Sequence, residues 1–237
     1  MMLMKPLERA VTTSSLVPTT PFLNADHFPW ARLLEENWRT IRQELDEVLI
    51  FQDDLPAFHE ISPDVADISD ERWRTFFFCS YGHRSDANRA RCPGTAALLD
   101  QIPGLTTAMF SILAPGKRIP AHRGPWTGVL RYHLGLRVPE PALCGITVGG
   151  QTAHWREGES LLFDDSYEHS AWNDSDGTRV VLFLDVPRPC RFPGAWINRA
   201  VLAGATLTPF MLNATANHRA WERRFAAKHP APPRADG

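Results

Sequence analysis

The sequence predicts a mainly β domain, a sandwich, barrel or jelly roll, with helices flanking it. Three observations support this prediction. The length of 237 residues suits one all-β domain. The 20 prolines and 15 glycines are typical of a chain with many turns. Short segments in which apolar and polar residues alternate are separated by such turns, at residues 107–114, 128–138, 144–148, 151–155, 160–163 and 178–186.

Helices are predicted before and after this β region. Apolar residues recur at helical spacing from Trp30 to Val48, and Pro29 suits the first turn of a helix. Asn24 or Asp26 is placed to cap that helix. Weaker patterns predict a strand over 73–79, a helix over 94–101, an apolar segment over 196–202 and a basic amphipathic segment over 218–228.

These patterns predict the domain organisation. Residues 1–23 are rich in Ser, Thr and Pro, and we expect them to form a flexible leader. Residues 24–229 are expected to form a single domain whose central part spans 107–187. The Pro-rich residues 230–237 are expected to be a frayed tail.

Composition argues against several classes of protein. Apolar residues make up 43% of the chain, charged residues 22%, and the formal net charge is −2, which argues against disorder and against a nucleic-acid partner. No apolar run suits a membrane span or a signal-peptide core. The four cysteines lie far apart, as expected in a reducing compartment, so we expect a cytoplasmic protein. The sequence does not indicate an oligomeric state.

Charged side chains are predicted on the inner face of one strand. In the segment 128–136, side chains alternate between the two faces, so that Arg131 and His133 share a face with Val129 and Gly135. A buried arginine is costly unless an anion pairs with it. An internal acid or a bound carboxylate must therefore neutralise Arg131.

The same alternation applies to two further strands. It places Arg179 on the apolar face of segment 178–186 and Ser111 on that of segment 107–114. A pocket lined by Ser111, Arg131, His133 and Arg179 would suit a ligand with two carboxylates, because the guanidinium fork binds a carboxylate at two points. The alternative is that each arginine pairs with an acid of the chain such as Asp164, Asp165 or Asp185.

Two further histidines lie near predicted strand ends, where small-molecule and metal sites of barrels open. His122 stands in the sequence PAHRGP, and His169 follows FDDSYE. Periodicity alone favours ordinary polar residues over metal ligands at these positions.

The segments PAHRGPWTGVLRYHLGL, WREGESLLFDDSYEHSAWND and TRVVLFLDV resemble the catalytic region of the aspartyl/asparaginyl β-hydroxylase family. The resemblance is densest from residue 107 to 187. It implies a double-stranded β-helix, a jelly-roll or cupin-like fold, with the catalytic core in that range. It also implies an iron(II)- and 2-oxoglutarate-dependent dioxygenase that uses O2.

Roles for six residues follow from this resemblance. His122 and His169 resemble the two iron ligands. Arg179 with Ser111 resembles the pair that holds the distal carboxylate of 2-oxoglutarate. Arg131 with His133 resembles the pair near the carboxylate that chelates iron.

Gly124 stands where most non-haem iron oxygenases carry an acidic ligand, two residues after the first histidine. Since glycine has no side chain, the resemblance implies a water at that position unless Asp164, Asp165 or Glu168 reaches the metal. Gly124→Asp is expected to complete the usual ligand set and strengthen iron binding.

The expected reaction is hydroxylation of a C–H bond with release of succinate and CO2. The favoured substrate is the β-carbon of an aspartyl or asparaginyl residue or of a related small molecule or peptide. One alternative is a lipid A acyl-chain hydroxylase, in which the segments 196–202 and 218–228 dock on a membrane surface rather than merely pack on the domain. A second alternative is a jelly-roll module that binds 2-oxoglutarate and metal without turnover.

Overall fold

The computed structural model describes residues 4–230, in which eleven strands and eight α-helices are present. The strands are β1 (Phe22–Leu23), β2 (Trp73–Ser80), β3 (His83–Arg84), β4 (Thr107–Leu113), β5 (Lys117–His122), β6 (Val129–Arg137), β7 (Cys144–Val148), β8 (Gln151–His154), β9 (Ser160–Phe163), β10 (His169–Asn173) and β11 (Arg179–Pro187). The helices are α1 (Met4–Thr13), α2 (Pro29–Glu36), α3 (Trp38–Leu49), α4 (Phe58–Ile61), α5 (Asp86–Arg91), α6 (Pro93–Leu99), α7 (Gly194–Ala205) and α8 (Pro209–Lys228).

The strands form two antiparallel sheets. The larger sheet has the order β1-β9-β6-β11-β4-β2-β3, and the smaller one has the order β5-β10-β7-β8. Strands β4 to β11 are divided between the two sheets in the pattern of a jelly roll. The larger sheet contains β4, β6, β9 and β11, and the smaller one contains β5, β10 and the β7–β8 hairpin. The predicted fold class, mainly β with flanking helices in a double-stranded β-helix, is confirmed.

Every alternating segment between residues 107 and 186 forms a strand close to its predicted bounds. The turn between β7 and β8 is made by Gly149 and Gly150, which both have positive φ, at 54° and 80°. Glycine adopts such angles without steric cost, which is why this pair suits a two-residue hairpin.

Two strands of the smaller sheet, β5 and β10, were not among the predicted segments. Pro120 interrupts the alternation in β5, whose burial is irregular, and β10 mixes polar and apolar residues. Because this sheet is partly exposed, the sequence carries little period-two signal there. These strands nonetheless carry His122 and His169 at their ends, as expected.

The N-terminal residues differ from the prediction of a flexible leader. Residues 4–13 form α1, in which Val11 is fully buried, and residues 22–23 form β1, paired with β9. The leader prediction is therefore wrong for residues 4–23. The Ser, Thr and Pro content of this stretch is typical of a loop. The short helix α1 is nevertheless amphipathic and buries one side against α7.

The helix predicted over Trp30 to Val48 is two helices, α2 and α3, which meet at Asn37. Pro29 begins α2 as expected, but its N-cap is Phe28. Asn24 instead caps the short 3-10 turn before α2, where its side chain accepts a hydrogen bond from the backbone N–H of Asp26.

The C-terminal segments form α7 and α8. Among residues 4–230, no helix is long and apolar enough to cross a membrane. Apart from Pro230, the predicted tail lies outside the described residues, so its state stays a prediction.

Candidate active site

The side chains of His122 and His169 meet at the end of the smaller sheet. The two residues are direct partners in the pairing of β5 with β10, and their ring centroids lie 4.2 Å apart. His122 Nδ1 lies 2.8 Å from the carbonyl oxygen of Pro120, and His169 Nδ1 lies 2.9 Å from that of Tyr167. Since a carbonyl oxygen only accepts, each Nδ1 donates, and each Nε2 keeps a free lone pair.

Burial also favours the neutral form of both imidazoles. It lowers the pKa of His122 below its ordinary value. The pKa of His169 is lowered to about 3 by burial, with Arg131 and His122 adding repulsion. A neutral imidazole with a fixed tautomer is the form of histidine that binds a metal.

Within residues 4–230, no cluster of three or more His, Cys, Asp or Glu side chains suited to a metal is present. The histidine pair could provide two protein ligands to a metal, and further ligands would have to come from outside these side chains. An exogenous chelator with carboxylate and carbonyl oxygens is suited to complete such a site.

Arg179 is a buried cation without a carboxylate partner. Its exposure is 2%, and among the described residues neither its Nε nor its Nη1 has a hydrogen-bond partner. Burial lowers the pKa of Arg179 to about 10. Its guanidinium carbon lies 4.4 Å from the centre of the Trp155 ring, so that the cation rests on an aromatic face. The arrangement lacks an anion.

Ser111 and His133 lie on the same inner face as Arg179. Strand β4 pairs with β11 so that Ser111 is opposite Val181, one diagonal step from Arg179. The indole N–H of Trp73 donates to Ser111 Oγ at 3.0 Å, which fixes the hydroxyl oxygen.

The His133 ring lies among aromatic rings. Its centroid is 5.1 Å from those of Phe163 and Phe183 and 5.8 Å from that of Trp155. Neither ring nitrogen of His133 has a hydrogen-bond partner among the described residues, and the same holds for Trp155 Nε1. Burial, with Arg179 and Arg131 nearby, lowers the pKa of His133 well below its ordinary value. Arg179, Trp155 and His133 together present unused polar groups to one interior region.

Arg131, in contrast, is paired with two acids of the chain. Its Nη2 lies 3.0 Å from Asp165 Oδ2, and its Nε lies 2.9 Å from Asp185 Oδ1. Asp185 faces Arg131 directly across the pairing of β11 with β6. Burial raises the pKa of Asp165, and the neighbouring carboxylates of Asp185 and Asp164 act in the same direction against the attraction of Arg131.

The sequence left open whether the two arginines pair with local acids or with a ligand. The structure gives a different answer for each: Arg131 pairs with Asp165 and Asp185, whereas Arg179 has no acidic partner among residues 4–230. Asp164 pairs with Arg188 instead.

The space beside Gly124 is filled by the side chain of Asp165. A side chain at Gly124 would overlap the carboxylate of Asp165, whose Oδ1 would lie 2.6 Å from its Cβ. The backbone N–H of Gly124 also donates to the carbonyl of Asp165 at 2.7 Å. A side chain at position 124 would therefore have to displace the Asp165 carboxylate, and the expectation that Gly124→Asp completes the ligand set and strengthens iron binding stays a prediction.

An open groove of about 320 Å³ runs beside the histidine pair. Its lining includes Arg123, Tyr167, Glu168 and His169, together with the Gly149–Gly150 turn. A substrate lying in this groove would approach His169 from solvent.

A match to the aspartyl/asparaginyl beta-hydroxylase family extends over residues 35–189, which include all six predicted site residues. The chain belongs to this family. Among curated relatives, it is 50% identical over 213 residues to an ornithine lipid ester-linked acyl 2-hydroxylase of Rhizobium tropici, covering 89% of this chain and 76% of that protein. It is 33% identical over 162 residues to human aspartyl/asparaginyl beta-hydroxylase, covering 66% of this chain.

The chain spans only 21% of the human aspartyl/asparaginyl beta-hydroxylase, whereas it spans most of the bacterial relative. Among solved structures, a cupin 2 conserved barrel domain protein from Salinispora arenicola aligns with a TM-score of 0.33 at 8% identity, over 56% of this chain and 87% of that protein. The fold assignment rests on the strand order rather than on this weak likeness. Membership of a hydroxylase family supports the expectation that the protein is an enzyme.

Sequence reasoning missed the aromatic part of this hydroxylase-family site. Trp155 directly follows β8 and was predicted as a strand residue, while Trp73 begins β2, far from the other site residues in the chain. No spacing rule links either residue to Arg179 or Ser111. The available signal was the content of eight tryptophans, which indicates an aromatic interior without saying where.

Proposed function

We propose that this protein is an iron(II)- and 2-oxoglutarate-dependent hydroxylase. The observation that supports it most is Arg179, a buried guanidinium on an aromatic face that no acid among residues 4–230 neutralises. A buried cation without a partner is costly, so its presence favours an anionic ligand that binds there.

The residues present fit both groups. His122 and His169 would hold iron(II) through their Nε2 atoms, since each Nδ1 is engaged by a backbone carbonyl. Arg179 would pair with the distal carboxylate of 2-oxoglutarate, with the Ser111 hydroxyl beside it. His133 and Arg131 would lie toward the carboxylate that chelates the metal.

When bound, iron(II) and 2-oxoglutarate supply the oxidising power: one oxygen atom of O2 enters a C–H bond as a hydroxyl group, and the other enters succinate as CO2 leaves. The chain contributes position and charge. The ion pairs of Arg131 with Asp165 and Asp185 hold its guanidinium in place beside the histidines. The rings of Trp155, Phe163 and Phe183 keep the inner part of the site dry, which strengthens the pairing of Arg179 with a carboxylate.

The substrate we propose is an ester-linked acyl chain of an amino-acid-containing lipid, hydroxylated at carbon 2. This proposal is supported by 50% identity over 89% of the chain to a relative named for that reaction. The expectation of an aspartyl or asparaginyl substrate remains the second candidate, since it is favoured by the family match and by the 33% identity to the human protein.

Parallel incubations test the proposal. The protein is incubated with iron(II), ascorbate, O2 and 2-oxoglutarate, with an ornithine lipid in one series and an Asp- and Asn-containing peptide in the other. We expect succinate in equal amount to a lipid product heavier by about 16 Da, with a hydroxyl group on carbon 2. Modification of the peptide alone would favour the second candidate. If the protein binds 2-oxoglutarate but forms no succinate with either substrate, the result would contradict enzymatic activity and identify a binding module.

A further inference from the structure

Helix α7 has one face that packs on the domain. Ile197, Val201 and Leu202 contact a small apolar cluster that includes Val11 of α1 and Trp126. Asn198 on the same side is almost fully buried. This inner face explains part of the apolar character of the segment 196–202.

The opposite face of α7 is apolar and exposed. Trp196 is 77% exposed, Phe192 just before the helix is 80% exposed, and Leu207 just after it is 76% exposed. At 100° per residue, Arg199, Ala200 and Ala203 lie within about 60° of Trp196 on the helix circumference. We define the α7 outer face by six residues: Phe192, Trp196, Arg199, Ala200, Ala203 and Leu207. Large exposed aromatic residues clustered in this way indicate an interaction surface.

The charged residues on and next to the α7 outer face are basic. The segment 188–228 contains seven Arg and Lys residues and one acidic residue, Glu222, but Arg188 is buried against Asp164 and Lys228 is paired with Asp54. Glu222 is tied to the Ser85 hydroxyl. Arg191 and Arg199 are exposed and form no salt bridge with the residues that the structure describes. The basic charge next to Phe192 and Trp196 is therefore not neutralised within the described chain.

The α7 outer face is connected to the active site through the other side of the helix. The indole N–H of Trp126 donates to Asn198 Oδ1 at 2.7 Å, and Asn198 Nδ2 donates to the carbonyl of Gly128 at 2.8 Å. Trp126 and Gly128 belong to the loop between β5 and β6, which begins after His122. This loop also contains Arg123 of the open groove.

We propose that the α7 outer face docks on the surface of an anionic lipid bilayer. Phe192 and Trp196 would enter the boundary between headgroups and acyl chains, where aromatic side chains are favoured. Arg191 and Arg199 would pair with anionic headgroups. The loop between β5 and β6 is hydrogen-bonded to Asn198 of α7. Docking of α7 would therefore place the groove beside His169 near the membrane surface, within reach of a lipid acyl chain. This last step rests on the proposed lipid substrate, whereas the docking itself does not.

Co-sedimentation with vesicles tests docking. The chain of 237 residues is mixed with vesicles of phosphatidylcholine alone or with about 30% phosphatidylglycerol, at low and high salt. We expect the wild-type protein to bind the anionic vesicles at low salt. The affinity should fall at least about tenfold in the double variants Phe192→Ser/Trp196→Ser and Arg191→Glu/Arg199→Glu, and also in the wild type at high salt. Ile50→Ser removes another large apolar side chain, 70% exposed, and should bind as wild type does.

Two outcomes would overturn the docking proposal. One is equal binding by wild type and the Phe192→Ser/Trp196→Ser variant. The other is no vesicle binding together with a dimer in sedimentation velocity that this variant dissociates, which would assign the face to a second copy of the chain.

Succinate formation with a detergent-dispersed ornithine lipid separates docking from function. Turnover in detergent without vesicle binding would refute docking and leave the proposed function standing. Vesicle binding without turnover would refute the lipid substrate and leave docking standing. We expect the Phe192→Ser/Trp196→Ser variant to retain turnover in detergent and lose it on vesicles, because these side chains lie outside the active site.

Discussion

The carboxylate of Asp165 lies where the Cβ of a side chain at position 124 would be, so the absence of a side chain at Gly124 leaves room for Asp165. The backbone N–H of Gly124 donates to the carbonyl of Asp165, which holds the two residues together. Glycine at this position is therefore explained by an acid already present in the site, itself held by Arg131 at 3.0 Å.

Gly124→Ala should lower the free energy of unfolding by roughly 1–3 kcal/mol, because the added methyl group overlaps a buried carboxylate. The same substitution should cost less in an Asp165→Ala background. A double-mutant cycle by urea unfolding measures this coupling. Gly204→Ala in α7 is the control: no other atom lies within 4 Å of its added Cβ, so stability should stay equal or rise. A cost for Gly124→Ala that Asp165→Ala leaves unchanged would contradict the shared space.

Arg179 and Arg188 are both buried, but we expect opposite results when they are replaced. Arg179→Met should leave the unliganded protein as stable as wild type or more stable, since it removes a buried cation without an acidic partner. It should also weaken 2-oxoglutarate binding by roughly 2–5 kcal/mol, as measured by calorimetry with Mn(II) present.

Arg188→Met is the matched control for Arg179→Met. It leaves the buried Asp164 without its partner and should cost roughly 3–5 kcal/mol of stability. A similar loss of stability in both variants would show that Arg179 serves the fold rather than a ligand.

His122→Ala and His169→Ala should each abolish tight binding of divalent metal. In the proposed function two neutral imidazoles would provide the ligands from the chain, and no third His, Cys, Asp or Glu among residues 4–230 joins them in a cluster. Titration with Co(II), followed by its visible absorption, measures the loss. His27→Ala replaces an exposed histidine and should bind Co(II) as wild type does. Unchanged affinity in either site variant would exclude that histidine as a ligand.

His218 should contribute to a fall of stability in acid. Burial and the neighbouring His83 lower the pKa of His218 from 6.5 to about 4 in the folded protein. Between these values the unfolded chain binds more protons than the folded one, so stability is complete above about pH 6.5, falls as pH drops toward 4, and levels off below that. The full cost is roughly 3 kcal/mol.

Urea unfolding at pH 7.5 and pH 4.5 tests the role of His218. His218→Phe keeps the aromatic contacts with Phe77 and Trp221 and should lose the share of the pH dependence that comes from His218, whereas the buried His133 and His169 keep theirs. His27→Gln, at an exposed position, should leave it unchanged. An equal fall in stability with acid in wild type and His218→Phe would contradict this assignment.

Much of the fold could be predicted because alternation along a strand fixes which side chains face inward. Arg131, His133, Arg179 and Ser111 were placed on one inner face from spacing alone, and the strand pairing confirms that they share it. The helical spacing from Trp30 to Val48 likewise located α2 and α3, although not the break between them.

The parts that the sequence did not predict depend on contacts between distant residues. No local pattern shows that Asp165 and Asp185 both turn to Arg131, that Arg179 rests on Trp155, or that Asp165 fills the space at Gly124. These relations arise only from strand pairing and loop packing between residues that are distant in the sequence. The helix α1 was missed because a short amphipathic helix has little signal without the partner that buries it.

The central claim is that the histidine pair and Arg179 together hold a metal ion and 2-oxoglutarate. A crystal structure of the protein with 2-oxoglutarate and Mn(II), an oxidation-resistant substitute for iron(II), tests it most directly. We predict Mn(II) on the Nε2 atoms of His122 and His169, and the distal carboxylate of 2-oxoglutarate on the guanidinium of Arg179. A structure in which the metal binds elsewhere, or in which an acidic side chain of the protein pairs with Arg179 while 2-oxoglutarate stays unbound, would contradict the account.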